Sequence, residues 1–131
     1  MPFIPIRRPG MGEPPFEYYQ MTDAESAVLG EVLVQTSGKL TKSGATTKPQ
    51  FVAMANAIAA TPGARIPVVR VGAVEEWETT SIATVASTLV GSKVTVHTDG
   101  LQVTATTTSG VFEISNTDGA TTTSRVRGRF N

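Results

Sequence analysis

Residues 90–130, "VGSKVTVHTDGLQVTATTTSGVFEISNTDGATTTSRVRGRF", leave this chain few folds to choose from. Valine and threonine branch at Cβ, lose little freedom on a pleated surface and crowd the turns of a helix. Here they alternate in short runs broken at Asp99–Gly100, Ser109–Gly110 and Asp118–Gly119. Asp-Gly accepts the positive φ that a two-residue hairpin turn demands, so the spacing predicts a meander of antiparallel strands with "VTVHT" and "LQVTAT" as partners. Upstream, "RIPVVRVG" reads as a strand whose Pro67 belongs near its beginning or at a sheet edge. "EEWETT" alternates, with Glu76 and Glu78 on one face and Glu75 and Trp77 on the other.

The first half is less uniform. Thr22 and Glu25 have capping-box spacing, which allows a helical turn over Asp23–Leu29, with a loop as the alternative. "EVLVQT" and Lys39–Lys42 read as strands joined by a tight turn at Gly38. Residues 50–60 are ambiguous. Pro49, the alanines and the stop at Pro62–Gly63 favour a helix, whereas Phe51, Ala53 and Ala55 alternating with Val52 and Met54 suit a strand buried on both faces.

Five of the eight prolines fall in residues 1–15, among Phe3, Ile4, Ile6, Arg7 and Arg8. Proline fixes φ and biases the preceding residue towards extended geometry, so residues 1–20 are expected to form an extended strap ahead of a single β domain over 21–131. Such a strap has no hydrogen bonds of its own, so either the domain surface or a partner must hold it.

A chain of 131 residues buries enough surface for one core without a disulfide or metal, and it has no cysteine to supply either a disulfide or a thiolate site. Eleven basic and eleven acidic residues cancel, which removes the global field that would draw the protein to nucleic acid or an anionic membrane. No apolar run is long enough to span a bilayer, and prolines and arginines interrupt the N-terminus where a secretion signal needs a continuous apolar centre. A soluble protein, made where it works, is the expectation.

Catalytic chemistry finds little to stand on. His97, the single histidine, lies beside a turn with no cysteine to share a metal, and a nucleophile pair would need a serine brought to its imidazole by the fold. Glu75, Glu76 and Glu78 read as an exposed acidic strand rather than an acid–base pair. No phosphate, dinucleotide or calcium motif is present. Arg125, Arg127 and Arg129 alternate in "RVRGRF" and so share one strand face, where they are suited to pair with Glu76 and Glu78 across a sheet or across a subunit boundary. The expectation is no enzyme, no cofactor and no metal.

The order "GEVLVQTSGKLTKSGATTKPQFVAMANA … IPVVRV … EEWETT … VGSKVTVHTDGLQVTATTTSGVFEI … RVRGRF" resembles the small capsid decoration, or cement, proteins of lambda-type tailed phages, over roughly residues 26–130. The resemblance implies a mainly β body of small-barrel or β-tulip type. It also implies a homotrimer on the outer surface of the virion, made in the host cytoplasm, that clamps neighbouring major capsid protein subunits; the balanced charge adds the expectation of neither nucleic acid nor membrane as partner. It tips "KPQFVAM" towards a strand followed by a loop from Asn56 to Gly63. In that family the N-terminal arm adds to an edge of the shell protein, which makes Pro2, Phe3, Ile4, Pro5, Ile6, Arg7 and Arg8 the capsid-binding candidates. Glu76, Trp77, Glu78, Arg125, Arg127 and Arg129 are candidate inter-subunit contacts, although a lone tryptophan favours the core. The alternative is a carbohydrate- or receptor-binding module using Trp77, Tyr18 and Tyr19 as stacking residues.

Overall fold

The computed structural model describes residues 2–7, 16–72, 74–121 and 123–131; for Ile6 and Arg7 it describes the backbone alone. Among these residues there are ten strands, one short 3-10 turn at Ser87–Leu89 and no α-helix. The strands are β1 (Ile4–Arg7), β2 (Glu17–Gln20), β3 (Val32–Thr36), β4 (Lys39–Lys42), β5 (Phe51–Ala53), β6 (Arg65–Arg70), β7 (Glu76–Thr80), β8 (Lys93–Val94), β9 (Phe112–Thr117) and β10 (Arg125–Phe130).

They form two five-stranded sheets, ordered β1-β7-β10-β9-β8 and β2-β6-β5-β3-β4, in which every neighbouring pair is antiparallel. The mainly β expectation holds. Closure into a barrel is not seen; the nearest approach is a single parallel bridge, Met21 to Leu40, between the two margins of the second sheet.

The centre of the second sheet is buried on both faces, and its sequence shows why. Val32, Val52 and Val69 point towards the first sheet and join Trp77, Phe112, Ile114, Val126 and Phe130 in one core. The alternate residues Leu33, Phe51, Ala53 and Val68 point the other way, into a second core closed by Met21, Ala27, Ala60 and Ile66. Residues 51–53 are therefore the doubly buried strand that the alternation allows, and helix propensity is overridden by apolar partners on both sides. The Ser37–Gly38 pair makes the β3–β4 turn with positive φ at both residues, 52° and 81°, the geometry that suits the twist of a two-residue hairpin.

Several expectations are corrected. Residues 23–29 form turns, not a helix: Ala24 has φ 64°, and its N–H donates across to the Ala60 carbonyl (2.7 Å) instead of along the chain. Pro67 lies mid-strand in β6, between β2 and β5. The missing donor is tolerated because the Pro67 carbonyl meets Met54 N–H one residue past the end of β5, where that ladder stops. Asp118–Gly119 is no two-residue turn, because Asp118 Oδ1 accepts the N–H groups of Ala120 and Arg125 (both 3.0 Å) and closes a longer connection between β9 and β10. The hairpin around Asp99–Gly100 exists but is irregular, reduced to the bridge Val96–Val103 with flanking hydrogen bonds.

The N-terminal segment, where described, is built into the body. β1 pairs with β7 as an edge of the first sheet, and β2 pairs with β6 as an edge of the second. Phe3 is 1% exposed and packs between Phe112 and Phe130, with ring centroids 5.6 Å and 5.2 Å away.

Candidate interaction surface

The outer face of the first sheet carries charges in columns. Reading across β8, β9, β10 and β7, Lys93 stands opposite Glu113, Glu113 opposite Arg129, and Arg127 opposite Glu78. Each strand thus presents one sign to neighbours of the other sign, the arrangement that stabilises cross-strand pairs. Arg125 and Arg127 both approach Glu78 Oε1 (3.8 Å each), and Arg129 lies 3.9 Å from Glu76 Oε2, which also accepts the Ser115 hydroxyl (2.8 Å). The expected arginine–glutamate pairing is therefore made within one sheet of one chain. Glu76 and Glu78 are not an exposed acidic face; the arginines and Ser115 cover them. A depression beside them is lined by Glu78, Asn116, Thr117, Asp118, Arg125 and Arg127.

Other expected site residues divide by depth. Trp77 is fully buried in the core, which takes it away from any subunit seam. Phe3 is likewise a core residue and not a free anchor, because its ring is already enclosed by Phe112 and Phe130. Pro2 rests on Gly30 so closely that a Cβ there would lie 2.1 Å from Pro2 Cβ, and Phe3 N–H donates to Gly30 O (3.1 Å). Pro5 stands opposite Trp77 on the inner side, whereas Ile4, opposite Glu78, faces out and is 40% exposed. The side chains of Ile6 and Arg7, and the whole of Arg8, lie outside the described residues.

Of the three stacking candidates, Tyr18 alone is exposed. Tyr19 packs on Phe51 (5.0 Å between centroids) and donates its hydroxyl to Glu17 Oε1 (2.6 Å). Glu17 is gripped bidentately by Arg70, at 3.0 Å and 2.9 Å, and those bonds hold its carboxyl below the usual range. Arg70 in turn lies over the Phe51 ring. The group clamps β2 onto β6. His97 is part of the irregular hairpin, its N–H donating to Gln102 O (2.8 Å), and no group of three or more His, Asp or Glu side chains that could hold a metal is found among the described residues.

One exposed feature falls in the expected loop from Asn56 to Gly63, but its pairing has no signal in the sequence. Two loops, 24–30 and 56–60, are zipped together by backbone bonds: Ala27 and Ala57 exchange both N–H···O contacts (2.9 Å), and Ala60 N–H reaches Glu25 O (3.0 Å). Side chains complete the zip, with Leu29 N–H donating to Asn56 Oδ1 (2.7 Å) and Ala59 N–H to Ser26 Oγ (2.9 Å). The loops carry Val28, Leu29 and Ile58, and Ile58 is 88% exposed. Nothing in "MANAIAATPG" distinguishes Ile58 from a core isoleucine; only the pairing of the two loops turns it outwards.

No helix among the described residues is long and apolar enough to cross a membrane. Comparison with protein-family models, with curated proteins and with solved structures gives no match to this chain.

Proposed function

We propose that this chain is a capsid decoration protein: a trimer that seats on the outer surface of a tailed-phage head and holds adjacent major capsid protein subunits together. The sequence resemblance over roughly residues 26–130 supports the reading. The structural observation that carries it is the exposed apolar tip of Val28, Leu29 and Ile58 on two loops joined by hydrogen bonds. Exposed apolar side chains gain free energy when another surface covers them, and loops already fixed by hydrogen bonds lose little entropy in docking. The mechanism is mechanical. Weak contacts linked through one rigid body act at high local concentration once the first is made, so one molecule resists the separation of several shell subunits.

In this reading the N-terminal strand contributes Ile4 at the exposed face, with Arg7 and Arg8 following in sequence, while Phe3 secures the strand to its own domain. The protein acts at the virion surface after synthesis in the host cytoplasm, without nucleic acid, membrane or cofactor.

Hydroxyl-radical footprinting of the protein, free and mixed with expanded undecorated shells, tests the reading. Protection of residues 26–30 and 56–60 on mixing is the expected result. Unchanged labelling there, with protection confined to Phe16 and Tyr18 on adding glycans, would favour a carbohydrate-binding module, since these two aromatics are 55% and 57% exposed.

A further inference from the structure

Glu31 is a charged residue in a place that offers its charge little. It is 2% exposed; Oε1 accepts Val28 N–H (3.2 Å), and Oε2 has no hydrogen-bond partner among the described residues. Its stem lies against the Asp99–Gly100 turn so tightly that a Cβ on Gly100 would come within 2.8 Å of Glu31 Cγ.

Four segments meet around this side chain. Glu31 O accepts Ala53 N–H (2.9 Å) at the end of β5, and Val32 N–H reaches Gly100 O (3.0 Å) in the turn. The adjoining Gly30 donates to Ala53 O (2.7 Å), accepts Phe3 N–H (3.1 Å) and supports Pro2. The residue that seats the N-terminal strand is thus the immediate neighbour of the buried carboxyl.

The charges facing Glu31 come from three elements. Lys42 on β4 attracts the carboxylate, while Glu25 in the zipped loop and Asp99 in the turn repel it; His97 acts on Asp99. Burial outweighs both the Val28 N–H bond and Lys42, an exposed ammonium, and raises the carboxyl above its ordinary value.

We infer that Glu31 is a proton-operated latch for the N-terminal strand, closed when the carboxyl is neutral and loosened when it ionises. A neutral carboxyl fills the space between the 28–31 turn and Gly100 at modest cost. An ionised one, with one oxygen unpartnered, draws water into the junction. Water enters by displacing either turn, and both displacements disturb Gly30, whose carbonyl and open face hold Phe3 and Pro2.

Amide hydrogen exchange on the intact protein, at pH 5 and pH 8 and corrected for intrinsic rates, tests the latch. Protection of the non-proline amides of residues 3–7 and of residues 28–32 should fall severalfold at the higher pH while β9 and β10 are unaffected, and Glu31→Gln should keep the acid-side protection at both values. Equal protection at the two pH values, or the same pH dependence in Glu31→Gln, overturns the inference. Asp99→Asn is a second variant that keeps Glu31 and removes a repelling charge; it should move the midpoint to lower pH, and an unmoved midpoint is equally contrary.

Discussion

Phe3 meets Phe112 edge to face, with ring centroids 5.6 Å apart, although the two residues come from opposite ends of the chain. The contact ties the start of the N-terminal strand into the core and separates two roles that lie side by side at the mouth of β1: Phe3, just before the strand, faces the core, and Ile4, its first residue, faces out.

Replacing Phe3 by Ala should therefore destabilise the domain by about 3–5 kcal/mol, the usual loss for a fully buried aromatic. Ile4→Ser, one residue on, should change stability by about 1 kcal/mol or less, since the side chain stands at an exposed edge. Urea unfolding of the two variants measures the contrast.

Glu31→Gln should raise stability at neutral pH. Burial lifts the folded-state carboxyl above its ordinary value of 4.5, so as pH rises the unfolded chain ionises first and the folded state is penalised increasingly until it ionises too. Below the ordinary range both states are protonated and the penalty vanishes. Thermal melts of wild type and variant should differ by a few degrees at pH 8 and converge on acidification, provided the amide keeps the Val28 N–H contact.

At the Glu17–Arg70 clamp the sign is opposite. Arginine holds the Glu17 carboxyl below its ordinary value, so the contribution is present above that range and is lost as pH falls through the folded-state value. Arg70 is more than half exposed, which limits the pair to about 1 kcal/mol. Arg70→Lys should lose most of it, because an ammonium cannot bond both carboxylate oxygens in a fork or lie flat over Phe51. Denaturation as a function of pH should show a flatter acid limb in the variant.

Ile58→Ser should leave the melting temperature within a few degrees of wild type, because so exposed a side chain supports little of the fold. Its retention on expanded shells should drop sharply. Retention equal to wild type would remove the apolar tip from the binding surface.

Much of the body was legible where side-chain alternation is local information. Lys39–Lys42, the strands around Pro67 and Trp77, and the opposite faces of Trp77 and Glu76/Glu78 follow from period two alone, and so does the shared face of the arginines that meet those glutamates. The double burial of Phe51 and Val52 was readable as one of two options and needed tertiary partners to decide it.

What escaped the sequence depends on partners distant along the chain. Phe3 sits among prolines in a strap with no local reason to enter a core; its place is set by Phe112, Phe130 and the Gly30 carbonyl. Asp118–Gly119 carries the signal of a tight turn, yet the Asp118 carboxylate spans the connection to Arg125 N–H instead. Glu31 looks like an ordinary solvent-facing strand residue until the Asp99–Gly100 turn is laid over it, and Ile58 like a core residue until the loop at Ser26 lifts it outwards.

The most direct measurement of the central claim is sedimentation of the purified protein with expanded, undecorated phage shells. Saturable retention with the shell fraction, released by competition from unlabelled protein, is the result expected of a decoration protein. A protein that stays in the supernatant at every ratio, while its fold remains intact by circular dichroism, would contradict it.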